Sequence, residues 1–432
     1  MITTEQLYDI FQRYPIVSTD TRHLPADCIY FALKGPNFNG NQFAMEALGK
    51  GASHAVVDEP VGDDPRLLRV TDVLTALQEL ATYHRHRLDI NVLAITGSNG
   101  KTTTKELTAA VLRKEFSTHH TRGNLNNHIG VPLTLLELNE EHDFAVVEMG
   151  ANHQQEIAAL CKIACPDFGL ITNIGKAHLE GFGGPEGVKK GKGEMYDYLR
   201  SHSGLIFIQL DNPLLRDVLH GYDNIITYGT SERVQYRGRV ADSGNEFLEV
   251  EITKPFHLRI RTKLTGDYNL DNVLAAVAVG GQFGVEPHDI CEAIEHYVPG
   301  NQRSQVVVKD GLTIVQDTYN ANPSSMLAAI NNFDKHFKGD KMIALGEMLE
   351  LGDSAADEHR QIAESALEVA GKRLLLVGKL FEEAATTHGI LHFPDSAACM
   401  HWLNANKPST GNLLIKGSRG SKMEVLMQAF GE

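Results

Sequence analysis

Short apolar runs alternate with amphipathic stretches through the middle of the chain. The runs at 92–95, 144–147 and 168–171 are typical of strands that are buried in a parallel sheet. Stretches with helical periodicity lie between them at 105–116 and 154–163. Strand–helix alternation at this spacing predicts a doubly wound α/β sheet.

The region before this sheet shows similar elements on a smaller scale. Strand-like runs at 29–33 and 55–57 enclose a helical pattern at 43–49, and an amphipathic helix is predicted at 74–88. This pattern predicts a small α/β domain at the start of the chain.

The second half of the chain changes character twice. A β-rich segment at 234–262 alternates apolar and polar residues and predicts an antiparallel insertion, and a helix is predicted at 270–280. Pro299 and Gly300 suggest a linker. Strands then recur, with helices between them, at 313–315, 342–345, 374–377 and 413–415. We therefore predict a further α/β domain at the end of the chain.

The length of the chain agrees with this division. At about 150 residues per domain, 432 residues favour three domains. We place their boundaries at 1–81, 82–300 and 301–432.

Composition narrows the possible functions. Forty Lys and Arg against 55 Asp and Glu give a formal net charge of −15, which disfavours nucleic-acid binding. No apolar stretch approaches the roughly 20 residues that span a bilayer, and the first residues do not resemble a signal peptide. The five cysteines are scattered, as expected of reduced thiols. We expect a cytoplasmic protein without membrane insertion.

A phosphate-binding loop follows the strand at 92–95. Glycine-containing loops between a buried strand and a helix present backbone N–H groups to phosphate oxygens. In such a loop Lys101 would reach the β- and γ-phosphates, and the Thr102 hydroxyl would bind Mg²⁺. Ile95 stands where the usual pattern has its first glycine. The loop comprises Gly97, Ser98, Asn99, Gly100, Lys101, Thr102 and Thr103.

Three further residues are candidates for the same site. Glu148 ends the strand at 144–147, where a carboxylate would face the crevice and could bind Mg²⁺. His178 follows the next strand, at the same edge of the sheet. Lys192 lies in the run Lys189-Lys190-Gly191-Lys192, where neighbouring cations and partial burial could lower the pKa of a lysine.

Several longer motifs occur in one order along nearly the whole chain, and they resemble those of the Mur ligases. The motifs are Thr96-Gly97-Ser98-Asn99-Gly100-Lys101-Thr102-Thr103, Asn124-Leu125-Asn126-Asn127-His128-Ile129-Gly130-Val131-Pro132, Glu148-Met149-Gly150-Ala151-Asn152, Asn173-Ile174-Gly175-Lys176-Ala177-His178-Leu179-Glu180-Gly181-Phe182, Gly266-Asp267-Tyr268-Asn269-Leu270-Asp271-Asn272, Asp317-Thr318-Tyr319-Asn320-Ala321-Asn322-Pro323 and Lys416-Gly417-Ser418-Arg419-Gly420.

This resemblance implies a fold and an activity. The fold has a small UDP-binding α/β domain, a central phosphate-loop ATPase-like parallel sheet and a C-terminal Rossmann-like domain. The activity is an ATP-dependent, ADP-forming amide ligation in peptidoglycan synthesis, and hence in cell shape and division. The motifs that include Glu148 and Asn320 most resemble those of the member that joins D-alanyl-D-alanine to UDP-N-acetylmuramoyl-tripeptide. We expect a monomer.

The resemblance also implies roles for nucleotide and metal ligands. Thr102 and Glu148 would hold one Mg²⁺, while His178 and Lys192, as a carbamate, would help to hold a second; Lys190 is the alternative lysine. With Lys101, these residues form the catalytic set. Asn272 and Arg303 match residues that contact adenine and phosphates, and Asp317 matches one near the ribose.

Substrate contacts are implied in all three domains. Asp20-Thr21-Arg22 resembles an Asp-Ser-Arg motif of uridine-nucleotide binding, although Asn39-Gly40-Asn41 replaces the usual Asp-Gly-His. The residues expected to contact the muramoyl peptide or the incoming dipeptide are Asn126, Asn127, Asn320, Asn322, Ser418 and Arg419.

Two alternatives stay open at this point. Another amide ligase of the same fold would add a single amino acid, or glutamate to a folate; the UDP-type first domain argues against the folate enzyme. A nucleotide-dependent binding protein without ligase chemistry would not need Glu148, His178 and Lys192 together.

Overall fold

A computed structural model describes residues 1–241, 246–300, 304–309 and 311–431. Three main sheets follow one another along the chain, and each is packed by helices of its own segment. The predicted α/β fold with three successive domains is confirmed. The boundaries at 81 and 300 stay predictions; position 81 lies inside the helix Val73–Arg85.

The N-terminal domain is built on a small parallel sheet with the order β1-β2-β5-β6. A separate hairpin pairs β3 with β4. The strands are β1 (Val17–Ser18), β2 (Ile29–Phe31), β3 (Lys34–Gly35), β4 (Phe38–Asn39), β5 (His54–Val57) and β6 (Leu67–Arg69), and the helices are α1 (Thr4–Arg13), α2 (Ala44–Gly49) and α3 (Val73–Arg85).

The central domain contains the large sheet, with the order β15-β14-β13-β12-β11-β10-β7-β9-β8. Its strands are β7 (Asn91–Thr96), β8 (Thr118–His120), β9 (Phe144–Glu148), β10 (Phe168–Ile171), β11 (Leu205–Gln209), β12 (Ile225–Gly229), β13 (Tyr236–Val240), β14 (Phe247–Lys254) and β15 (Leu258–Thr265). Its helices are α4 (Lys101–Leu112), α5 (Gly130–Leu136), α6 (Glu156–Ala164), α7 (Leu179–Phe182), α8 (Pro185–Ser201), α9 (Pro213–Leu219), α10 (Leu270–Gln282) and α11 (Pro287–His296).

The order of the central strands determines where a ligand can bind. Strand β7 lies between β9 and β10 and is parallel to both, so the carboxyl ends of these three strands meet at one edge. Because the chain crosses to opposite sides of β7, a crevice opens at this edge. The phosphate loop after β7, Glu148 at the end of β9 and the segment after β10 all border it.

The predicted antiparallel insertion at 234–262 is part of the central sheet. Strands β14 and β15 are antiparallel to their neighbours, as expected. They are joined to the central sheet through β13, which pairs in parallel with β12. Their buried faces, which include Val250 and Ile260, pack with α10 in the same core.

The C-terminal domain has a mostly parallel sheet with the order β16-β17-β21-β18-β19-β20, in which β16 alone among the described strands is antiparallel. The strands are β16 (Gln305–Lys309), β17 (Leu312–Asp317), β18 (Lys341–Gly346), β19 (Leu374–Val377), β20 (Leu391–Phe393) and β21 (Gly411–Lys416), and the helices are α12 (Pro323–His336), α13 (Ala355–Ala370), α14 (Glu382–His388) and α15 (Ser396–Asn406).

The length and composition of the helices bear on whether any of them could cross a membrane. Across the described ranges, no helix combines the length and the apolar character that crossing a membrane requires.

Candidate active site

The phosphate loop has the backbone shape that its sequence predicts. Gly97 and Gly100 have φ angles of +142° and +80°, which L-residues rarely adopt. A Cβ at Gly97 would lie 2.0 Å from Oγ1 of Thr172, and one at Gly100 would lie 2.5 Å from Oδ1 of Asn272. Both glycines are therefore required by conformation and by space.

The segment after β10 holds this loop in place. Thr172 donates a hydrogen bond of 2.6 Å to the carbonyl oxygen of Asn99, and Asn173 accepts one of 3.0 Å from the Asn99 amide. Ser98 Oγ accepts a hydrogen bond of 2.9 Å from the Gly175 amide. The loop is thus pre-organised before any phosphate binds.

Lys101 begins helix α4 and folds back over the loop. Its ammonium group donates hydrogen bonds to the carbonyl oxygens of Gly97 at 2.7 Å and Ser98 at 3.3 Å. The backbone N–H groups at the start of α4 face the same crevice, so the cation and the helix N-terminus together favour an anionic ligand.

Asn272 is committed to positioning α4. Its Oδ1 accepts a hydrogen bond of 3.0 Å from Thr104, and its Nδ2 donates one of 2.7 Å to Asn269. The side chain borders the crevice beside the phosphate loop. Its predicted contact with adenine stays a prediction.

Glu148 carries an unsatisfied carboxylate oxygen. The residue is 2% exposed, and Oε1 accepts a hydrogen bond of 2.8 Å from Asn126. Oε2 is buried without a hydrogen-bond partner. Leaving a buried carboxylate oxygen unpaired is costly, and a cation would remove that cost. With the hydroxyl of Thr102 on the same crevice, the oxygen donors fit Mg²⁺.

Lys192 lies behind the crevice in helix α8. It is 1% exposed, and its ammonium group donates a hydrogen bond of 3.2 Å to the carbonyl oxygen of Ala151. Burial lowers the pKa of this ammonium group well below its ordinary value, and the charge of Lys101 acts in the same direction. Lys190, the alternative lysine, is exposed, so burial distinguishes Lys192 from it.

His178 lines the crevice, and its ring contacts a residue of the C-terminal domain. Its Nδ1 contacts a carboxylate oxygen of Glu350, in the loop after β18. Burial lowers the pKa of His178, while Glu350 acts in the opposite direction. The backbone N–H of Glu180 also donates to the Glu350 carbonyl oxygen at 3.2 Å.

The C-terminal domain also contacts the phosphate loop and its support. Nδ2 of Asn322 donates a hydrogen bond of 2.7 Å to Oδ1 of Asn99. The Lys176 backbone N–H donates to Ser324 Oγ at 3.1 Å, and its ammonium group bonds Glu358 at 2.5 Å. The domains therefore meet directly over the crevice.

Asp317 is paired with a lysine that the sequence interpretation did not select. The ammonium group of Lys416 bonds Oδ2 of Asp317 at 2.5 Å and the carbonyl oxygen of Asn320 at 3.3 Å. Lys416 is 1% exposed and borders the crevice. It holds the ends of β17 and β21 together at the site.

These elements enclose a cavity of about 850 Å³ between the central and C-terminal domains. The predicted site residues that line it are Ser98, Asn99, Gly100, Lys101, Thr102, Thr103, Asn126, Asn127, Glu148, His178, Asn272, Asp317, Asn320 and Asn322.

The other predicted residues lie elsewhere. Ser418 is buried and Arg419 is exposed, and neither borders this cavity. Asp20, Thr21 and Arg22 belong to the N-terminal domain, where Asp20 forms an ion pair of 2.7 Å with Arg22. Arg303 lies outside the described residues.

Among the cavity and boundary residues that the sequence interpretation missed are four that form ion pairs: Lys416, Lys176, Glu350 and Glu358. Lys416 could have been found, because it begins a motif that was recognised. Lys176 likewise stands in a recognised motif. Glu350 and Glu358 carry no local signal, because their partners are distant in the chain.

The geometry defines a class of protein: an enzyme that binds a nucleoside triphosphate at a phosphate loop and brings a second α/β domain over it. Residues 95–280 match the sequence model of the Mur ligase middle domain, and residues 302–419 match that of the Mur ligase, glutamate ligase domain. The chain belongs to the Mur ligase family. It is an ATP-dependent, ADP-forming amide ligase.

Individual relatives extend over almost the whole chain. The UDP-N-acetylmuramoyl-tripeptide–D-alanyl-D-alanine ligase of Bacillus subtilis is 35% identical over 95% of this chain and 92% of its own. The crystal structure of MurF from Acinetobacter baumannii has a TM-score of 0.89 with 31% identity and covers 99% of this chain and 98% of its own. MurF ligase from Thermotoga maritima, solved in complex with ADP, has a TM-score of 0.85 with 27% identity over 98% of each chain.

Proposed function

We propose that the protein joins D-alanyl-D-alanine to UDP-N-acetylmuramoyl-tripeptide at the expense of ATP, in peptidoglycan precursor synthesis. The substrates are those in the name of the Bacillus subtilis relative, with which this chain aligns over 95% of its length. The observation that carries the proposal is the placement of Lys101, Glu148 and His178 around one cavity under the C-terminal domain.

The first step activates the tripeptide. Its terminal carboxylate attacks the γ-phosphorus of ATP, which gives an acyl phosphate and ADP. Oxide is too poor a leaving group for direct amide formation, whereas phosphate leaves readily. Lys101 and the backbone N–H groups of the phosphate loop offset the charge on the transferred phosphoryl group.

Mg²⁺ would be held by Glu148 and Thr102, and a second ion by His178 with Lys192 as its carbamate. When bound, Mg²⁺ supplies Lewis-acid stabilisation of the phosphoryl oxygens. The unpaired Oε2 of Glu148 supports the first assignment. The burial and lowered pKa of Lys192 support the second, because a neutral amine reacts with CO₂.

The second step forms the amide. The amino group of D-alanyl-D-alanine attacks the acyl carbon, and phosphate leaves from the tetrahedral intermediate. Closure of the C-terminal domain protects the acyl phosphate from water. The contacts of Asn322 with Asn99 and of Lys176 with Glu358 support such a closed arrangement.

The remaining site roles belong to the same proposal. Asp317 would contact the ribose, and Asn272 and Arg303 would contact the adenine and phosphates. Asp20, Thr21 and Arg22 would bind the uridine nucleotide, while Asn126 and Asn127 would face the muramoyl group. Asn320, Asn322, Ser418 and Arg419 would help to place the dipeptide. The enzyme would act as a cytoplasmic monomer without nucleic-acid partners.

The decisive experiment measures phosphate release from ATP with UDP-N-acetylmuramoyl-tripeptide, with and without D-alanyl-D-alanine. Release that requires both substrates, with a product heavier by one dipeptide, is the expected result. Release that is supported by a single amino acid would assign the chain to another branch of the family. Failure to release phosphate with either acceptor would contradict the proposal.

A further inference from the structure

Two non-glycine residues with positive φ face each other across the boundary between the central and C-terminal domains. His178 has φ = 53° and Glu350 has φ = 62°. Such conformations are strained for residues other than glycine, and they persist where the surrounding structure requires them. The carboxylate of Glu350 contacts Nδ1 of His178, and its carbonyl oxygen accepts a hydrogen bond from the backbone N–H of Glu180.

The loop that carries Glu350 is fixed within its own domain. The backbone N–H of Met348 donates to Nε2 of His359 at 2.9 Å, and Oε2 of Glu347 accepts from the Leu380 amide at 3.1 Å. Met348 is fully buried. Glu350 therefore moves with the C-terminal domain as a rigid projection, and it meets His178 when the two domains are together.

Energetics argue that this contact does more than hold the domains together. The Glu350 side chain is 52% exposed, and ion pairs with such exposure contribute little to stability. That small gain does not offset the strain of two residues with positive φ. The contact is better explained by what it does to the imidazole.

A carboxylate can only accept a hydrogen bond, so Nδ1 of His178 is the donor in this pair. In a neutral ring the other nitrogen, Nε2, then carries the lone pair, and the ring borders the reaction cavity. We propose that Glu350 is a positioning residue for His178. It fixes the tautomer and orientation of the imidazole, so that the lone pair of Nε2 is available in the cavity only when the C-terminal domain is closed. This inference rests on the proposed function.

The consequence is a built-in order of events. In an open arrangement His178 would lack its partner and could rotate or change tautomer. Closure over bound substrates would then complete the site at the moment when water is excluded. The C-terminal domain thus contributes to the chemistry through an orienting carboxylate as well as by covering the site.

Steady-state kinetics test this role with a matched control. We expect Glu350→Ala to lower kcat by about 10- to 100-fold, the usual effect of losing an orienting partner, with little change in KM for ATP or tripeptide. Glu350→Gln keeps an acceptor oxygen and should restore part of the rate. Glu358→Gln removes another carboxylate that crosses this boundary without touching His178, so its kcat should fall much less than that of Glu350→Ala.

Two kinetic results would overturn the inference: an unchanged kcat in Glu350→Ala, or an equal loss in Glu358→Gln, which would indicate a general closing contact.

A spectroscopic readout separates the inference from the proposed function. In ¹⁵N-histidine-labelled full-length protein with a non-hydrolysable ATP analogue and tripeptide, the His178 signal is identified by its loss in His178→Gln. It should report Nδ1–H, and Glu350→Ala should shift it towards Nε2–H.

An unchanged tautomer in Glu350→Ala would reject the positioning role, whatever the activity. An unmodified enzyme that does not turn over would reject the proposed function while the tautomer measurement still answers the question about Glu350.

Discussion

The side-chain amide of Asn322 donates a hydrogen bond of 2.7 Å to Oδ1 of Asn99, so the C-terminal domain contacts the phosphate loop itself. Asn322 is also the N-cap of α12, because its Oδ1 accepts a hydrogen bond of 2.9 Å from the Ser325 amide. One side chain therefore starts a helix in one domain and restrains the nucleotide loop of another.

The two roles of Asn322 can be separated by replacing it with aspartate. Aspartate caps a helix about as well as asparagine, so the thermal midpoint should change little. It cannot donate to Asn99, and it adds a negative charge beside the loop that is to bind a triphosphate. We expect KM for ATP to rise at least about tenfold, which corresponds to about 1.4 kcal/mol.

The control for this variant is Asn212→Asp, the same change at the N-cap of α9, where Oδ1 accepts from the Leu214 amide at 3.0 Å. Asn212 does not border the cavity, so KM for ATP should not change. An unaltered KM in Asn322→Asp would mean that the contact with Asn99 has no part in nucleotide binding.

Replacing Glu148 by glutamine tests the first metal position. The change removes a buried negative charge whose Oε2 has no hydrogen-bond partner. We expect the Mg²⁺ concentration for half-maximal ATP turnover to rise at least about tenfold, as for loss of a ligand-supporting group. Without Mg²⁺ the variant should be at least as thermally stable as the unmodified protein, because an unpaired buried charge is costly. Equal Mg²⁺ requirements would remove Glu148 from the metal site.

Carbamoylation of Lys192 can be observed directly. In protein equilibrated with ¹³C-bicarbonate, a carbamate carbonyl signal should appear and should be lost in Lys192→Met. Burial and the nearby charge of Lys101 lower the pKa of Lys192, so the neutral amine is available at lower pH than for an ordinary lysine. Lys190→Met, in the same helix at an exposed position, should keep the signal. Loss of the signal in Lys190→Met alone would reassign the modification.

Much of the central site could be predicted because its signals are local. The phosphate loop is a contiguous stretch between a buried strand and a helix, and Glu148 directly ends another strand. In a parallel sheet, such positions converge at one edge wherever the strands pair. Local sequence and sheet geometry were therefore sufficient to predict that Lys101, Thr102 and Glu148 share a cavity.

The contacts between domains could not be predicted in this way. His178 and Glu350 are 172 positions apart, and Asn99 and Asn322 are 223 apart. Neither the apolar periodicity nor the turn residues of either partner indicate the other. Their pairing depends on how two separately folded domains dock, and that is set by the whole interface.

For the same reason, the strand that joins the segment at 234–262 to the central sheet could not be predicted. The alternation of apolar and polar residues predicted antiparallel strands there, and β14 and β15 are antiparallel. Whether such strands form their own sheet depends on an unpaired edge nearby. Here the edge of β12 accepts β13, so the strands extend the central sheet.

The stability of the junction between α1 and α3 should depend on the protonation of His84. This buried ring bonds the Leu138 carbonyl oxygen through Nε2 at 2.9 Å, and its Nδ1 lies 3.3 Å from the Tyr8 hydroxyl. Burial lowers the pKa of His84 below the ordinary value of 6.5. The neutral ring satisfies both contacts, whereas a protonated ring could no longer accept from Tyr8.

Since the folded state disfavours the charged ring, the contribution of His84 to stability is complete above the unfolded pKa of about 6.5. It is lost as the pH falls through the lower folded pKa. We expect His84→Gln to lower the thermal midpoint at pH 7.5, with a cost of about 1 kcal/mol for the altered hydrogen bonds. Between pH 7.5 and pH 5 the midpoint of this variant should fall less than that of the unmodified protein. His288→Gln, at a side chain that is 88% exposed, should follow the unmodified protein, and equal slopes for all three would contradict the role of His84.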